Sequence, residues 1–253
     1  MIFYDANLSY GYEMNVRRLP PAPCRTIGEL AAALERCGIR GGLVRSLMAD
    51  MGGVVVGNAA LAADLKTVGA DLYGMYTLVP SCTREIPAPE ELPAVLRRDK
   101  MPVLRLNPGE HRFLTRPGVI ADYLAVAEAE KIPVMLDTAC GLTLDNCWDY
   151  MERFPKLTAI LGYVNIWPAD RYYRPFLEAF PNLRMELSHM ITDQGLEELV
   201  RLYGAGRFLF ASRFPSMSPG GGMLQLRCAE ISEADKARIA GENLLEMIGE
   251  VLT

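Results

Sequence analysis

The chain is poor in histidine: its 253 residues include only His111 and His189. A tight transition-metal site draws about three or four nitrogen, sulfur or carboxylate ligands, so imidazole cannot supply one here alone. The six cysteines (Cys24, Cys37, Cys82, Cys140, Cys147 and Cys228) form no C-x-x-C pair, which excludes the usual zinc knuckle and any evident disulfide framework. No Lys/Arg run exceeds two residues and the net charge is −5, which argues against a nucleic-acid surface. The first residues lack a basic segment followed by an apolar one, and no apolar run approaches the roughly 18 residues of a membrane span. The expectation is a cytoplasmic protein without a membrane partner. Asp5-Ala6-Asn7-Leu8-Ser9-Tyr10-Gly11 is not a glycine-rich phosphate turn, so the chain does not read as an open dinucleotide-binding sheet and no cofactor is expected.

What is present is an alternation of strand and helix. Short apolar runs at residues 1–6, 42–47, 72–79, 102–106, 132–136, 157–161, 183–187 and 208–210 read as buried parallel strands. Helical spacing occupies 27–37, the stretch up to 68, 90–98, 119–130, 144–154, 171–180, 192–203 and 232–251. Thr26 and Glu29 have capping-box spacing, and Gly38 stands where a helix C-cap belongs. Eight such units in one chain of this length predict a single (β/α)8 barrel over residues 1–253.

In a barrel the C-terminal strand ends share one face. That face should gather Asn7, Ser9, Ser46, Arg105, Asn107, Asp137, Tyr163, Asn165, Ser188, His189 and Arg213. A polar residue just past a strand is ordinarily a loop or cap residue. A ring combining two arginines, a carboxylate, amides and hydroxyls suits a polar small-molecule site better than a random rim. His111, on the loop after the fourth strand, reads equally as a lid or surface residue. Tyr10, Tyr12, Trp167, Tyr172 and Tyr173 read as stacking or interface aromatics. Ser218-Pro219-Gly220-Gly221-Gly222 reads as a flexible loop or a weak phosphate signal.

Four stretches resemble the amidohydrolase-related (amidohydrolase 2) branch of the amidohydrolase superfamily. Residues 5–11 resemble its opening D-x-H-x-H-x-G with both histidines replaced, and Phe180-Pro181-Asn182-Leu183 with Ser188 is similar to its seventh strand. Arg207-Phe208-Leu209-Phe210-Ala211-Ser212-Arg213-Phe214-Pro215 resembles its R-[IL]-[LV]-F-G-S-D-[YFW]-P eighth strand, and residues 239–245 its final helix. The resemblance implies a metal-dependent hydrolase-like barrel whose ligand positions fall on Asn7, Ser9, Asp137 and Arg213, with a further family histidine at Tyr163. Of these only Asp137 is a plausible ligand, and Arg213 would oppose a metal with a permanent positive charge.

The resulting expectation is a degenerate, metal-independent member with no metal residues and no cofactor. It would bind a small polar, anionic ligand through Asn7, Ser9, Arg105, Asn107, Tyr163, Asn165 and Arg213, as an enzyme or a pseudoenzyme. Asp137 and His189 are the catalytic candidates. Arg213 either receives an anionic group or pairs with Asp137 or Glu186. The alternatives are a structural, partner-binding barrel subunit and a hydrolase or decarboxylase with a non-standard metal site. Loop aromatics and 13 methionines leave room for a homodimer interface.

Overall fold

The computed structural model describes residues 1–12, 24–51, 53–69, 71–163, 170–190 and 194–253. Eight strands, β1 (Phe3–Tyr10), β2 (Ile39–Ser46), β3 (Asp71–Leu78), β4 (Val103–Leu106), β5 (Val134–Asp137), β6 (Ala159–Gly162), β7 (Leu183–Glu186) and β8 (Phe208–Leu209), lie side by side in chain order. Every neighbouring pair is parallel. The barrel closes where the Ala6 N–H donates to the Phe210 carbonyl at 2.9 Å and the Ser9 N–H to that of Phe214 at 3.0 Å.

Between the strands run α1 (Ile27–Cys37), α2 (Leu47–Met51), α3 (Val54–Leu65), α4 (Leu92–Asp99), α5 (Pro108–His111), α6 (Ala121–Ala129), α7 (Leu144–Arg153), α8 (Asp170–Ala179) and α9 (Gly195–Tyr203). Helices α10 (Gly220–Cys228), α11 (Glu233–Ala237) and α12 (Asn243–Leu252) follow β8. The caps read from sequence form: Thr26 and Glu29 make a reciprocal capping box on α1, and Gly38 ends that helix at φ 73°. No helix of the described residues is long and apolar enough to cross a membrane.

Three expectations need adjustment. The first strand runs past residue 6 to Tyr10, with register shifts beside Tyr4 and between Asp5 and Leu8, so Asn7 and Ser9 are strand residues. The glycines at 220–222 form the first turn of α10, not a loop. The last helix is broken into α11, a π-helical turn (Arg238–Glu242) and α12. The π turn lets Gly241 lie against β1, where a Cβ would come within 2.8 Å of the Tyr4 ring.

Side chains alternate across each strand, which divides the core in two. One part lies between strands and helices. The other fills the barrel with Ala6, Leu43, Met75, Val103, Met135, Ile160, Leu209 and Ala211, over Leu244, Met247 and Ile248 of α12. Helix α12 thus plugs the N-terminal end, leaving the C-terminal end as the mouth. Two residues beyond the filling layer, the same inward parity delivers Arg45, Arg105, Asp137, Glu186 and Arg213.

Strands β1 and β2 approach most closely at Gly42, whose φ is 150° and where a Cβ would lie 2.0 Å from the Asp5 carbonyl oxygen. Gly42→Ala is expected to destabilise the fold by about 3 kcal/mol or more through backbone displacement and left-handed strain. A thermal or urea melt followed by circular dichroism measures this; an unchanged midpoint would mean β1 and β2 are not so tightly apposed.

Candidate functional site

The mouth is built on a chain of buried charge. Arg105, 1% exposed, donates through Nε to Asp50 Oδ1 at 3.2 Å, through Nη1 to Asp137 Oδ2 at 3.4 Å and through Nη2 to Cys140 Sγ at 2.8 Å. Arg45 Nη1 donates to the other oxygen of Asp50. Arg213 Nη1 donates to Asp137 Oδ2 at 3.1 Å. Asn107 Nδ2 donates to the Asp50 carbonyl at 3.3 Å. Burying such ions costs several kcal/mol each unless every one is paired, so the arginines and carboxylates require one another.

The electrostatics follow from that pairing. Burial alone would raise Asp137, but Arg105 and Arg213, helped by Arg45, hold its pKa down at about 2. Burial likewise works against Asp50, whose carboxyl is nevertheless held low by Arg105 and Arg45. Burial pushes the Cys140 thiol up to about 11 despite Arg105, so it sits in the network as a neutral thiol.

A cavity of about 220 Å³ opens above this network. Arg45, Asp50, Arg105, Asn107, Cys140 and Arg213 line it, with exposed Glu110 at its rim. Arg105 has all three of its donor nitrogens engaged. Arg45 and Arg213 each make a single side-chain hydrogen bond among the described residues, and Arg45 Nε is buried without a partner. Three guanidiniums are set against Asp50 and Asp137 within the network, and Glu110 adds a third carboxylate at the rim.

On the other side of Arg213 its guanidinium carbon lies 4.7 Å from the centre of the Tyr163 ring, and that ring meets His189 edge-on at 4.3 Å. Tyr163 and Arg213 both have φ 57°. This left-handed backbone costs a non-glycine residue about 1–3 kcal/mol and tends to persist at functional sites. Glu186, buried at the end of β7, accepts from the Tyr163 N–H at 2.9 Å, the Ser188 N–H at 2.8 Å and the Ser188 hydroxyl at 2.9 Å. Burial raises its pKa against those donors. Because Ser188 gives its single proton to Glu186, its 3.0 Å contact with His189 Nδ1 requires Nδ1 to carry the hydrogen. That leaves Nε2 as the basic nitrogen. Burial and then Arg213 lower the pKa of His189, so the ring is neutral near pH 7.

The residues expected from sequence divide clearly. Asp137, Arg105, Asn107 and Arg213 converge on one network, with Tyr163 and His189 beside it. Asn7 and Ser9 are buried in β1, and Asn7 Nδ2 has no partner among the described residues. Asn165 and Trp167 lie outside the described residues. His111 Nε2 lies 2.9 Å from the Ala49 carbonyl, which ties α5 to α2. Tyr10 donates to Asp64 at 2.6 Å, Tyr173 is buried, and Tyr12 and Tyr172 are exposed. Arg45, Asp50 and Cys140 were not anticipated. Counting inward positions from Leu43 would have found Arg45, but Asp50 comes from a helix and carries no strand-end signal.

The positions where the resembled family places metal ligands hold Asn7, Ser9, Asp137 and Arg213. Asp137 Oδ2 already accepts from two guanidiniums, and Oδ1 from the Ala139 N–H at 2.9 Å. Among the described residues no group of three or more His, Cys, Asp or Glu side chains is placed to hold a metal ion. This donor set does not suit a divalent metal.

No family model matches the chain, and no curated protein does. Solved structures do match along its whole length. A 2,6-dihydroxybenzoate decarboxylase bound to 2,6-dihydroxybenzoate superposes with a TM-score of 0.74 at 14% identity, covering 98% of this chain and 99% of that one. An uncharacterised TIM-barrel protein from Bordetella bronchiseptica gives 0.73 at 16%, covering 99% of both. Amidohydrolase 2 from Bifidobacterium longum subsp. infantis gives 0.70 at 15%, covering 98% and 99%. At such identities the likeness is one of fold: a (β/α)8 barrel, as the strand count predicts, shared with proteins that include the branch resembled at the strand ends.

Asp5 behaves differently from Asp137. It accepts from the N–H groups of Asn7 and Ser212 and from the Ser212 hydroxyl, and no cation reaches it among the described residues. Burial outweighs those hydrogen bonds and raises its pKa to about 7. Between about pH 4 and pH 7 the folded chain therefore holds a proton that the unfolded chain releases. The stability contributed by this group is full at the acid end and declines as pH rises through that window. Asp5→Asn, which keeps the acceptor for both N–H groups, should flatten that decline and raise the melting midpoint at pH 8 more than at pH 4. Melts across pH 4–8 check it; an equal shift at both ends would contradict the raised pKa.

Proposed function

We propose that the barrel mouth is a metal-independent site for a small carboxylate, held between Arg45 and Arg213, with His189 as its base. The observation that carries this reading is the set of donors on those two arginines that no side chain occupies among the described residues. A carboxylate of the ligand would accept from both guanidiniums in the bidentate manner that arginine favours. Asp50 holds Arg45 and Asp137 holds Arg213, both carboxylates braced by Arg105, with Asp137 a fixed anion and not a proton carrier. Asn107 lines the cavity and Tyr163 stacks on Arg213; Asn7 and Ser9 are buried in the second half of β1.

An apolar cavity of about 270 Å³ lies against the charged one, lined by Tyr10, Tyr12, Leu47, Met48 and Met51. Leu47 and Met51 belong to both cavities. That adjacency favours a carboxylate with a short apolar or aromatic body over acetate or formate. The neighbouring folds support a hydrolase- or decarboxylase-type ancestry, and the name of one of them states a carboxylate ligand. Among the described residues His189 Nε2 has no hydrogen-bond partner, and its ring packs on the Tyr163 ring that stacks on Arg213, which suits proton abstraction from, or proton return to, a bound acid.

The test is a thermal-shift titration with benzoate and with acetate. Benzoate should raise the melting midpoint saturably and more than acetate, by the relation between ligand occupancy and stability. Arg213→Ala should weaken the effect about tenfold or more, and Arg45→Ala similarly. Metal content should remain far below one equivalent. Stoichiometric zinc, iron or manganese would favour a non-standard hydrolase or decarboxylase site. No response to any small carboxylate would favour a partner-binding barrel.

A further inference from the structure

The far end of the barrel carries a second charged cavity, separate from the mouth. Every strand but β7 places an apolar residue in the inner filling layer. Strand β7 places Arg184 there, paired in register with Ile160. Met185 belongs to the outer core, so Arg184 and Glu186 share the inward side of β7, one at the floor and one at the mouth.

Arg184 is half-buried, and no acceptor reaches its guanidinium among the described residues. It lines a cavity of about 130 Å³ with Lys131, Arg238, Asn243, Glu246 and Glu250. Lys131 pairs with Glu250 at 3.3 Å and Arg238 with Glu246 at 3.3 Å, all four groups well exposed to solvent. Such surface pairs exchange partners at little cost. Three cations against two carboxylates leave this cavity with one positive charge in excess.

A second observation comes from Asn243, which is 4% exposed. Its Nδ2 donates to the carbonyls of Ala205 at 2.8 Å and Phe208 at 2.9 Å, so the amide cannot be flipped without losing both bonds. Its Oδ1 is therefore fixed as an acceptor, and it is buried with no donor. The site thus offers cationic donors and one fixed acceptor.

We propose that this floor cavity binds a small oxyanion that carries a proton, namely hydrogenphosphate or a phosphate monoester in its singly protonated, monoanionic form. Its oxygens would accept from Arg184, Arg238 and Lys131, and its P–OH would donate to Asn243 Oδ1. Sulfate, with the same shape but no proton at neutral pH, would set an oxygen lone pair against the Asn243 oxygen. Burial lowers the pKa of Arg184 and Arg238 adds to this, while Glu246 and Glu250 work against them.

Thermal-shift titrations of the purified protein at pH 7 and constant ionic strength, with inorganic phosphate, glycerol 3-phosphate and sulfate, test the proposal. Phosphate should raise the midpoint saturably, with sulfate weaker by about tenfold, the scale of one misplaced buried hydrogen bond. A response to glycerol 3-phosphate equal to or above that to phosphate identifies a monoester as the ligand; a response to phosphate alone identifies the free ion. Arg184→Gln should weaken the response about tenfold or more, whereas Glu246→Gln, which removes a competing carboxylate, should strengthen it. Arg213→Ala should leave it unchanged, which separates this site from the mouth. The proposal is overturned if phosphate gives no saturable shift or sulfate matches it. It also fails if Glu246→Gln weakens binding, or if the response survives Arg184→Gln and disappears in Arg213→Ala. Should Arg184→Gln fail to fold, the sulfate and Glu246→Gln comparisons still decide.

Discussion

The mouth of this barrel depends on the ion pairing of Arg105 with Asp50 and Asp137. Arg105 is buried at the end of β4, where an unpaired guanidinium would be intolerable, and each carboxylate in turn needs more than one cation to remain ionised so far from water. From this pairing the neighbouring geometry follows. Asp50 is drawn from α2 toward β4 and anchors Arg45. Asp137, accepting from the Ala139 N–H and from Arg105, is left with an oxygen that also anchors Arg213. Removing one carboxylate would strand two arginines, a loss of about 3–5 kcal/mol by the usual cost of breaking a buried pair.

That arrangement changes what the fold can do. A strand-end carboxylate with open oxygens could receive a divalent ion, but Asp137 has its oxygens filled by protein donors. The positive charge at the mouth is supplied by side chains that are always protonated. On the proposed reading, such a centre recognises an anion and stabilises developing negative charge without itself exchanging ligands or protons. On that reading proton transfer falls to His189, whose tautomer is set by Ser188 and Glu186, one aromatic ring away from Arg213.

Much of the fold was legible because periodicity and caps are local. Each of the eight apolar runs forms a strand, the first two longer than read, the Thr26–Glu29 box and Gly38 form as read, and the barrel follows from the strand number. The strand ends were legible by the same logic: Arg105, Asp137, Tyr163, His189 and Arg213 lie at one mouth because every parallel strand points the same way. What escaped has equally physical reasons. Asp50 sits on a short helix, where nothing local distinguishes a buried ion-pair partner from an exposed aspartate. Arg45 is one residue before Ser46, and choosing between them requires the strand's parity, which Leu43 fixes only once it is known to face inward. The glycines of α10 were read by propensity as a loop; in the fold they open a helix. The choice for Arg213 between salt bridge and ligand partner was also out of reach. Its pairing with Asp137 through a single nitrogen shows that the two roles are compatible.

The central claim is that arginine, not metal, occupies the functional centre of the mouth. Its most direct test is electron density for crystals grown with benzoate, combined with an anomalous-scattering scan for transition metals. The account predicts a carboxylate between Arg45 and Arg213, the Arg213–Asp137 contact retained, and no anomalous peak within the mouth. A metal peak coordinated by Asp137, with Arg213 swung away, would contradict it.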